Sequence, residues 1–411
     1  MIYGIGSHIV STNKVKCVNI TKDIGSTSLR EDISWDSAEA SIGAFALTAH
    51  HQAKIEATQE LGTDNIMILS YGNTAHGVGQ PYTQAERDKF CDYVEWLVPL
   101  VSGSCKYIEI WNEWNHGAGA SAAQVTSGQH SGTQQYVDLC AAVYPIIKAL
   151  APNAIVLAGS TSKVWTGHWY PALCDAGILA YCDGFSVHPY THSETYPNNL
   201  PARSFEYLDD IDTLVKAKNG GVSFPIYVTE MGWPTHDTGH SAAKVAQWLA
   251  TFYYSCEARS WIKGVWWYDI FDSGSDSANS LHRFGLDAND ALTPKPAHHA
   301  YRAFIRRANR NEENGWCRIA VTAAIESEIN AKTSPTNIKE SLDRLVSTGT
   351  TTVINSITYN VMTGPINLSA LDEIGERWGD SFHITEGPVV KGVTPAQTTA
   401  TKTTTWPNGW N

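Results

Sequence analysis

Residues 106–117 read KYIEIWNEWNHG. The first six residues alternate as a buried strand does, with Tyr107, Glu109 and Trp111 on one face and Ile108 and Ile110 on the other. The run then ends on Asn112-Glu113, a polar pair set between Trp111 and Trp114. Polar and bulky groups are costly to bury at a strand end unless they are paired. The stretch is therefore either a polar loop or a site. Residues 133–150, TQQYVDLCAAVYPIIKAL, follow with the one-sided apolar spacing of a helix.

The same strand-then-helix unit recurs along the first 308 residues. β-rich runs occur at 2–10, 28–34, 65–72, 106–111, 154–160, 182–190, 225–233 and 264–271. Helical patterns separate them, among them 50–62 and 83–102, and 295–307 closes the series. Eight such units predict an α/β fold, a closed (β/α)8 TIM barrel of parallel strands. A doubly wound open sheet is the alternative, but the Gly-rich phosphate turn expected after its first strand is missing. Polar and aromatic residues gather at the C-terminal ends of the runs: Tyr71 and Asn73, Asn112 and Glu113, His188 and Tyr190, Glu230, and Trp267 to Asp269. In a barrel these ends converge on one mouth, where barrel enzymes keep their chemistry.

The chain of 411 residues has room for more than the barrel. We expect a catalytic barrel over 1–308, a small C-terminal α/β appendage over 309–388 and a Thr-rich tail or linker over 389–411. A net charge of −12 without a Lys/Arg cluster argues against nucleic acid. No apolar run approaches the ~18 residues of a membrane span. The N-terminus lacks the basic-then-apolar pattern of a signal peptide. Eight cysteines show no CxxC and no metal spacing, so they are expected to be buried thiols, with one or two disulfides open and no metal. His50-His51 and His298-His299 have no carboxylate or cysteine at ligand spacing and read as surface helix residues. Fifteen Trp and eighteen Tyr supply flat rings of the kind that stack on sugars, although core packing claims most aromatic residues.

Glu113 and Glu230 end the fourth and seventh runs, which lie across the mouth of an eight-stranded barrel. Two carboxylates facing across a pocket suit glycosidic bond cleavage: one gives a proton to the leaving oxygen, the other attacks the anomeric carbon or activates water. Alternation turns Glu109 inward one layer deeper, where it needs a partner, and Arg30 at the second strand is the natural one.

EIWNEWN together with YVTEMGWPT resembles the clan A barrel glycoside hydrolases, in which an Asn-Glu pair on strand four is the acid/base and a Glu on strand seven the nucleophile. LREDISWDSAE, VWWYDIFDSG and FGLDANDALTPKPAHHAYRAF are most similar to family 39, of the bacterial exopolysaccharide-hydrolase type. The resemblance covers about 1–308. Trp114 stands where that family usually has proline, and the appendage does not read as the β-sandwich many members carry. The resemblance implies a retaining β-glycoside hydrolase that needs no cofactor, with Glu113 as general acid/base and Glu230 as nucleophile. It implies that Asn112 binds the sugar 2-hydroxyl and that Arg30 steadies the nucleophile. His188, Tyr190 and Tyr268 become substrate contacts, with Trp267 as the sugar platform and Trp35 and Trp233 as further platforms. Trp111 reads as core. As the acid, Glu113 is expected to have a raised pKa, from burial and the charge of Glu230. The implied partner is a bacterial extracellular or capsular poly- or oligosaccharide, and the implied location is extracellular, at the cell surface or in a phage virion. The rival readings are another clan A activity (a xylosidase, glucanase or mannanase) and a non-catalytic carbohydrate-binding or phage tail module.

Overall fold

The computed structural model describes residues 1–162, 168–288, 293–309, 314–331, 345–354, 357–367 and 382–386. The expected Thr-rich tail lies outside them, as does much of the expected appendage. The chain divides into two compact units: 1–233 with 260–272, and 234–259 with 273–411.

The first unit holds eight parallel strands: β1 (Ile2–Gly6), β2 (Ser28–Ser34), β3 (Ile66–Ser70), β4 (Tyr107–Ile110), β5 (Ile155–Thr161), β6 (Gly184–Val187), β7 (Ile226–Met231) and β8 (Ile262–Trp267). They pair in chain order, and β1 also pairs with β8, from Ile2 against Gly264 to Ile5 against Trp267, which closes the barrel. The expected (β/α)8 TIM barrel is the fold observed. Helices α1 (Lys14–Ile24), α2 (Trp35–Ala38), α3 (Ala49–Leu61), α4 (Gln84–Val101), α5 (Ala122–Ser127), α6 (Thr133–Leu150), α7 (Trp169–Asp175) and α8 (Pro201–Lys218) complete this unit. Their starts are written in the sequence. Thr83 and Glu86 form a reciprocal capping box at α4, Thr48 and His51 another at α3, and Pro201 opens α8.

Inside the barrel the side chains lie in layers. At the N-terminal end Tyr107, Tyr227 and Trp266 pack on one another, with ring centroids 5.4–6.4 Å apart, alongside Ile66, Ile68 and Leu157. This apolar floor requires glycine opposite the indole, because a Cβ at Gly4 would lie 2.1 Å from the Trp266 ring. The Trp266 Nε1–H donates to Ser28 Oγ at 2.8 Å, so the one polar atom of the indole is satisfied. Above the floor sits a buried polar layer built from Arg30 on β2, Glu109 on β4, Ser186 on β6 and Thr229 on β7. Stacked layers drawn from alternating strands are how a barrel of this size fills its interior.

The second unit contains helices α9 (Ala242–Glu257) and α10 (Pro296–Asn309), which pack together through Tyr253, Tyr254, Tyr301 and Phe304. A short antiparallel pair, β9 (Asp287–Ala288) with β10 (Thr293–Pro294), precedes α10. Strands β11 (Asn314–Val321), β12 (Val346–Ile354), β13 (Ile357–Asn367) and β14 (Phe382–Glu386) form an antiparallel sheet in the order β12-β13-β11-β14. Helix α11 (Ala323–Asn330) packs against β11 and β13.

Two readings of histidine pairs are corrected. His51 is buried, since its ring joins the Thr48 cap and meets Ser37 Oγ at 2.9 Å. His298 is also buried, 2.5 Å from Asp287 Oδ1, a carboxylate eleven positions upstream that helical spacing could not reveal. Seven cysteines are free thiols, and the eighth, Cys317, has a side chain outside the described residues. No helix among the described residues is long and apolar enough to cross a membrane.

Candidate active site

Strand alternation ends at Ile110. Trp111 takes a φ of 67° and Glu113 a φ of 50°, left-handed values that non-glycine residues adopt only where the surroundings impose them. The flanking indoles impose them here. Trp111 is fully buried among Tyr71, Phe90 and Trp114, and its Nε1–H donates to Ala118 O at 2.9 Å. Trp114 stacks on Tyr82 and donates to Gly132 O at 3.0 Å. The tryptophans on either side of Asn112-Glu113 are thus anchors that hold a strained step, and core packing is the reading that stands for Trp111.

Arg30 organises the mouth. Its Nε and Nη2 donate to the two Glu109 oxygens at 2.7 and 3.2 Å, its Nη1 to Glu230 Oε1 at 2.5 Å, and its Nη2 also to Asn112 Oδ1 at 2.7 Å. Burial works against the charge of Arg30, but Glu109 and Glu230 together raise its pKa above the ordinary value. Ser186 Oγ donates to Glu109 at 2.5 Å and Thr229 Oγ1 at 3.4 Å, so this wholly buried carboxylate has full support. Asn112 Nδ2 donates to Tyr71 OH at 2.8 Å, and burial pushes the Tyr71 hydroxyl up to about 12. Tyr190 OH donates to Glu230 Oε2 at 3.1 Å.

His188 stands between the two carboxylates. Its Nδ1 is 3.2 Å from Glu113 Oε1 and 3.7 Å from Glu230 Oε2, and its Nε2 is 3.0 Å from Thr229 Oγ1. One oxygen from each glutamate and a ring nitrogen of His188 all lie within 4.8 Å of one another. The expected rise in the Glu113 pKa is corrected by this contact. Burial pushes it up, but the His188 hydrogen bond and charge, with Arg30 behind, hold it below the ordinary carboxylate value. The sequence places His188 at the mouth as a substrate contact but does not show that its ring meets Glu113. Three such donors can also face a metal ion. The fixed Arg30 charge already compensates Glu230, however, and a second cation would lie beside it, so we assign no metal to the cluster.

The structure brings Arg30, Asn112, Glu113, His188, Tyr190 and Glu230 together, and Tyr268 joins their wall through an edge contact with Tyr190 at 6.4 Å. It does not bring the three expected tryptophan platforms to the surface. Trp35 is wholly buried, stacked by His76 and Tyr93 and donating to Glu39 Oε2 at 2.8 Å. Trp233 and Trp267 are likewise buried and pack on each other at 6.1 Å. A ring without an exposed face cannot stack on a sugar, and residue type at a strand end does not show which way a loop will turn it. Ser186 and Thr229 escaped sequence reading, although each sits at an inward position of its strand, the signal that found Glu109.

No family model and no curated protein sequence matches the chain. Solved structures do. A family 39 glycoside hydrolase from Bacteroides cellulosilyticus superposes with a TM-score of 0.64 at 21% identity, over 89% of this chain and 80% of that one. GH5_18 from Streptomyces cattleya in complex with GlcNAc gives a TM-score of 0.59 at 16% identity, over 75% and 80%. An exo-β-1,4-mannosidase from an Opitutaceae bacterium gives 0.55 at 13%, over 76% and 60%. At these identities the likeness is one of fold.

Proposed function

We propose that this chain is a retaining β-glycoside hydrolase. The carrying observation is the pair Glu113 and Glu230, at the C-terminal ends of β4 and β7, with an oxygen of each within 4.8 Å of the other. Retention asks for carboxyl groups ~5–5.5 Å apart, whereas inversion needs ~6.5–9.5 Å to admit a water. Glu230 is the nucleophile. Arg30 and Tyr190 each donate to one of its oxygens, which orients the carboxylate toward the ring. As it bonds to the anomeric carbon, the bond to the leaving oxygen breaks and that oxygen takes a proton from Glu113. Water then gives its proton to Glu113, attacks the same carbon and frees Glu230. Because His188 favours the ionised form of Glu113, the protonated acid is most abundant on the acid side of neutrality, where turnover is expected to be fastest. The family 39 likeness supports a glycosidase, and the sequence resemblance supports an extracellular or capsular bacterial polysaccharide as substrate, with the protein itself extracellular, at the cell surface or part of a phage virion.

The test is hydrolysis of bacterial exopolysaccharides and of aryl β-xylosides, β-glucosides and β-mannosides. New reducing ends should form, and proton NMR should show the β-anomer as the first product. Initial release of the α-anomer would sink the retaining mechanism, and polysaccharide binding without new ends would sink the enzyme.

A further inference from the structure

One carboxylate-backed imidazole at the mouth has no part in double displacement. His8 lies just past the end of β1, with a side chain 58% exposed, and its Nε2 is 3.2 Å from Oδ2 of Asp269, which is 3% exposed. The same nitrogen lies 3.3 Å from Tyr268 OH, and the Tyr268 ring meets that of His8 edge-on at 5.7 Å. Tyr268 in turn abuts Tyr190, whose hydroxyl is on Glu230. A continuous wall therefore runs from the nucleophile through two tyrosines to an exposed imidazole.

Two cationic side chains of the site are already engaged. The guanidinium of Arg30 is committed to Glu109, Glu230 and Asn112, and His188 is buried between the two glutamates. His8 is exposed, and its Nδ1 makes no hydrogen bond among the described residues. Asp269, buried and needing a counter-charge, fixes the ring through Nε2 and leaves the opposite edge as the polar group on offer. We propose that His8 is a substrate-binding residue, donating a hydrogen bond to an oxygen of the sugar that rests on the Glu230–Tyr190–Tyr268 wall, with Asp269 as its positioning residue. This inference rests on the glycosidase reading.

The pair also makes binding sensitive to pH. Asp269 raises the pKa of His8 against partial desolvation of the ring by the neighbouring wall, and Glu31, Asp32 and Glu230 add to the rise. Glu31 and Asp32 stand on β2, and Lys54 lies 3.3 and 2.7 Å from them. Burial pushes Asp269 itself up to about 6, with His8 pulling the other way. The protonated imidazole therefore persists to higher pH than an isolated one, and its donated bond is lost as pH rises through its titration.

The experiment uses the full chain, with whichever aryl β-glycoside the wild type cleaves. His8→Ala should raise KM about tenfold, the loss expected of one charge-assisted hydrogen bond, while kcat changes little. His8→Gln, a neutral donor, should recover part of the affinity and lose the rise of KM at alkaline pH. Asp269→Asn should move that rise to lower pH and lower the His8 pKa read by NMR, which a merely structural role would not do. An unchanged KM profile in His8→Ala overturns the substrate contact, and an unmoved profile in Asp269→Asn overturns the positioning role. If the wild type cleaves no glycoside, the parent reading fails by itself. The His8 ring resonances, followed during titration with xylo-, gluco- and manno-oligosaccharides, then decide whether the residue binds sugar, and no perturbation by any of them overturns the proposal.

Discussion

Glu113 and His188 share a contact that favours the ionised form of Glu113. A catalytic acid must be protonated to act, yet His188 stabilises the ionised form of Glu113 through a 3.2 Å hydrogen bond. Replacing His188 by Phe removes both the donor and the charge, so the Glu113 pKa should rise and the basic limb of the kcat/KM profile should move to higher pH. A limb that stays in place or moves to lower pH would show that Glu113 is not the group it reports. As the proposed nucleophile, Glu230 has the opposite demand, since it must be ionised to attack. Glu230→Gln should keep ligand binding and lose several orders of magnitude in turnover, and azide added to Glu230→Ala should give a glycosyl azide of inverted configuration. Retention of more than about a tenth of the activity in Glu230→Gln would remove Glu230 from the nucleophile's role. The two carboxylates, Asn112 and the Arg30–Glu109 pair were legible because charged residues at inward or terminal strand positions must be paired or functional. The sense of the Glu113 shift was not, because it belongs to a contact between β4 and β6 that no local pattern encodes. Nor was the burial of Trp35, Trp233 and Trp267, which follows from the paths of loops.

The strands show why the barrel itself was readable. Buried parallel strands are short and dense in apolar residues, as IMILS in β3 is, and the more polar run SLREDIS also appears as a strand with no change of boundary. The run at 2–10 was too long, because β1 stops at Gly6 and Ser7 and His8 already belong to the mouth. The polar layer and the floor below it are matters of volume as much as of pattern. Trp266 occupies the space that Gly4 leaves open. Gly4→Ala should therefore overpack the floor, at a cost of roughly 1–3 kcal/mol or somewhat more, read as a fall in Tm. Trp266→Leu in the same chain should recover part of that loss, since the two changes act on one contact and do not add. If Gly4→Ala leaves Tm unchanged, the indole does not fill the barrel as described. The strained turn after β4 has a different dependence, on the Trp111 and Trp114 anchors, and nothing in the strand pattern announces it.

At the scale of the chain, the site needs residues from β2, β4, β6 and β7 at once, so any loss of closure removes it. Closure is made by the β1–β8 pairing, and all eight strands lie in the unit that ends at Asp272. Helices α9 and α10 belong to the other unit, where they pack on each other and against strand β11. The sequence count assigned these helices to the barrel and placed a boundary at 308, which remains our proposal for where the catalytic part ends. Two truncations test it. A chain ending at Arg310 keeps both helices but strips β11 and β13 from them, so we expect a soluble protein with a lower Tm that still cleaves small aryl glycosides. A chain ending before Lys295 also loses α10, leaving Tyr253 and Tyr254 on α9 without their partners Tyr301 and Phe304, and it should not fold. Melting curves and aryl-glycoside rates for the two chains discriminate the cases. Should the longer chain also be insoluble or inactive, α9, α10 and the four-stranded sheet form a single folding unit that the barrel cannot do without, and the boundary at 308 is wrong.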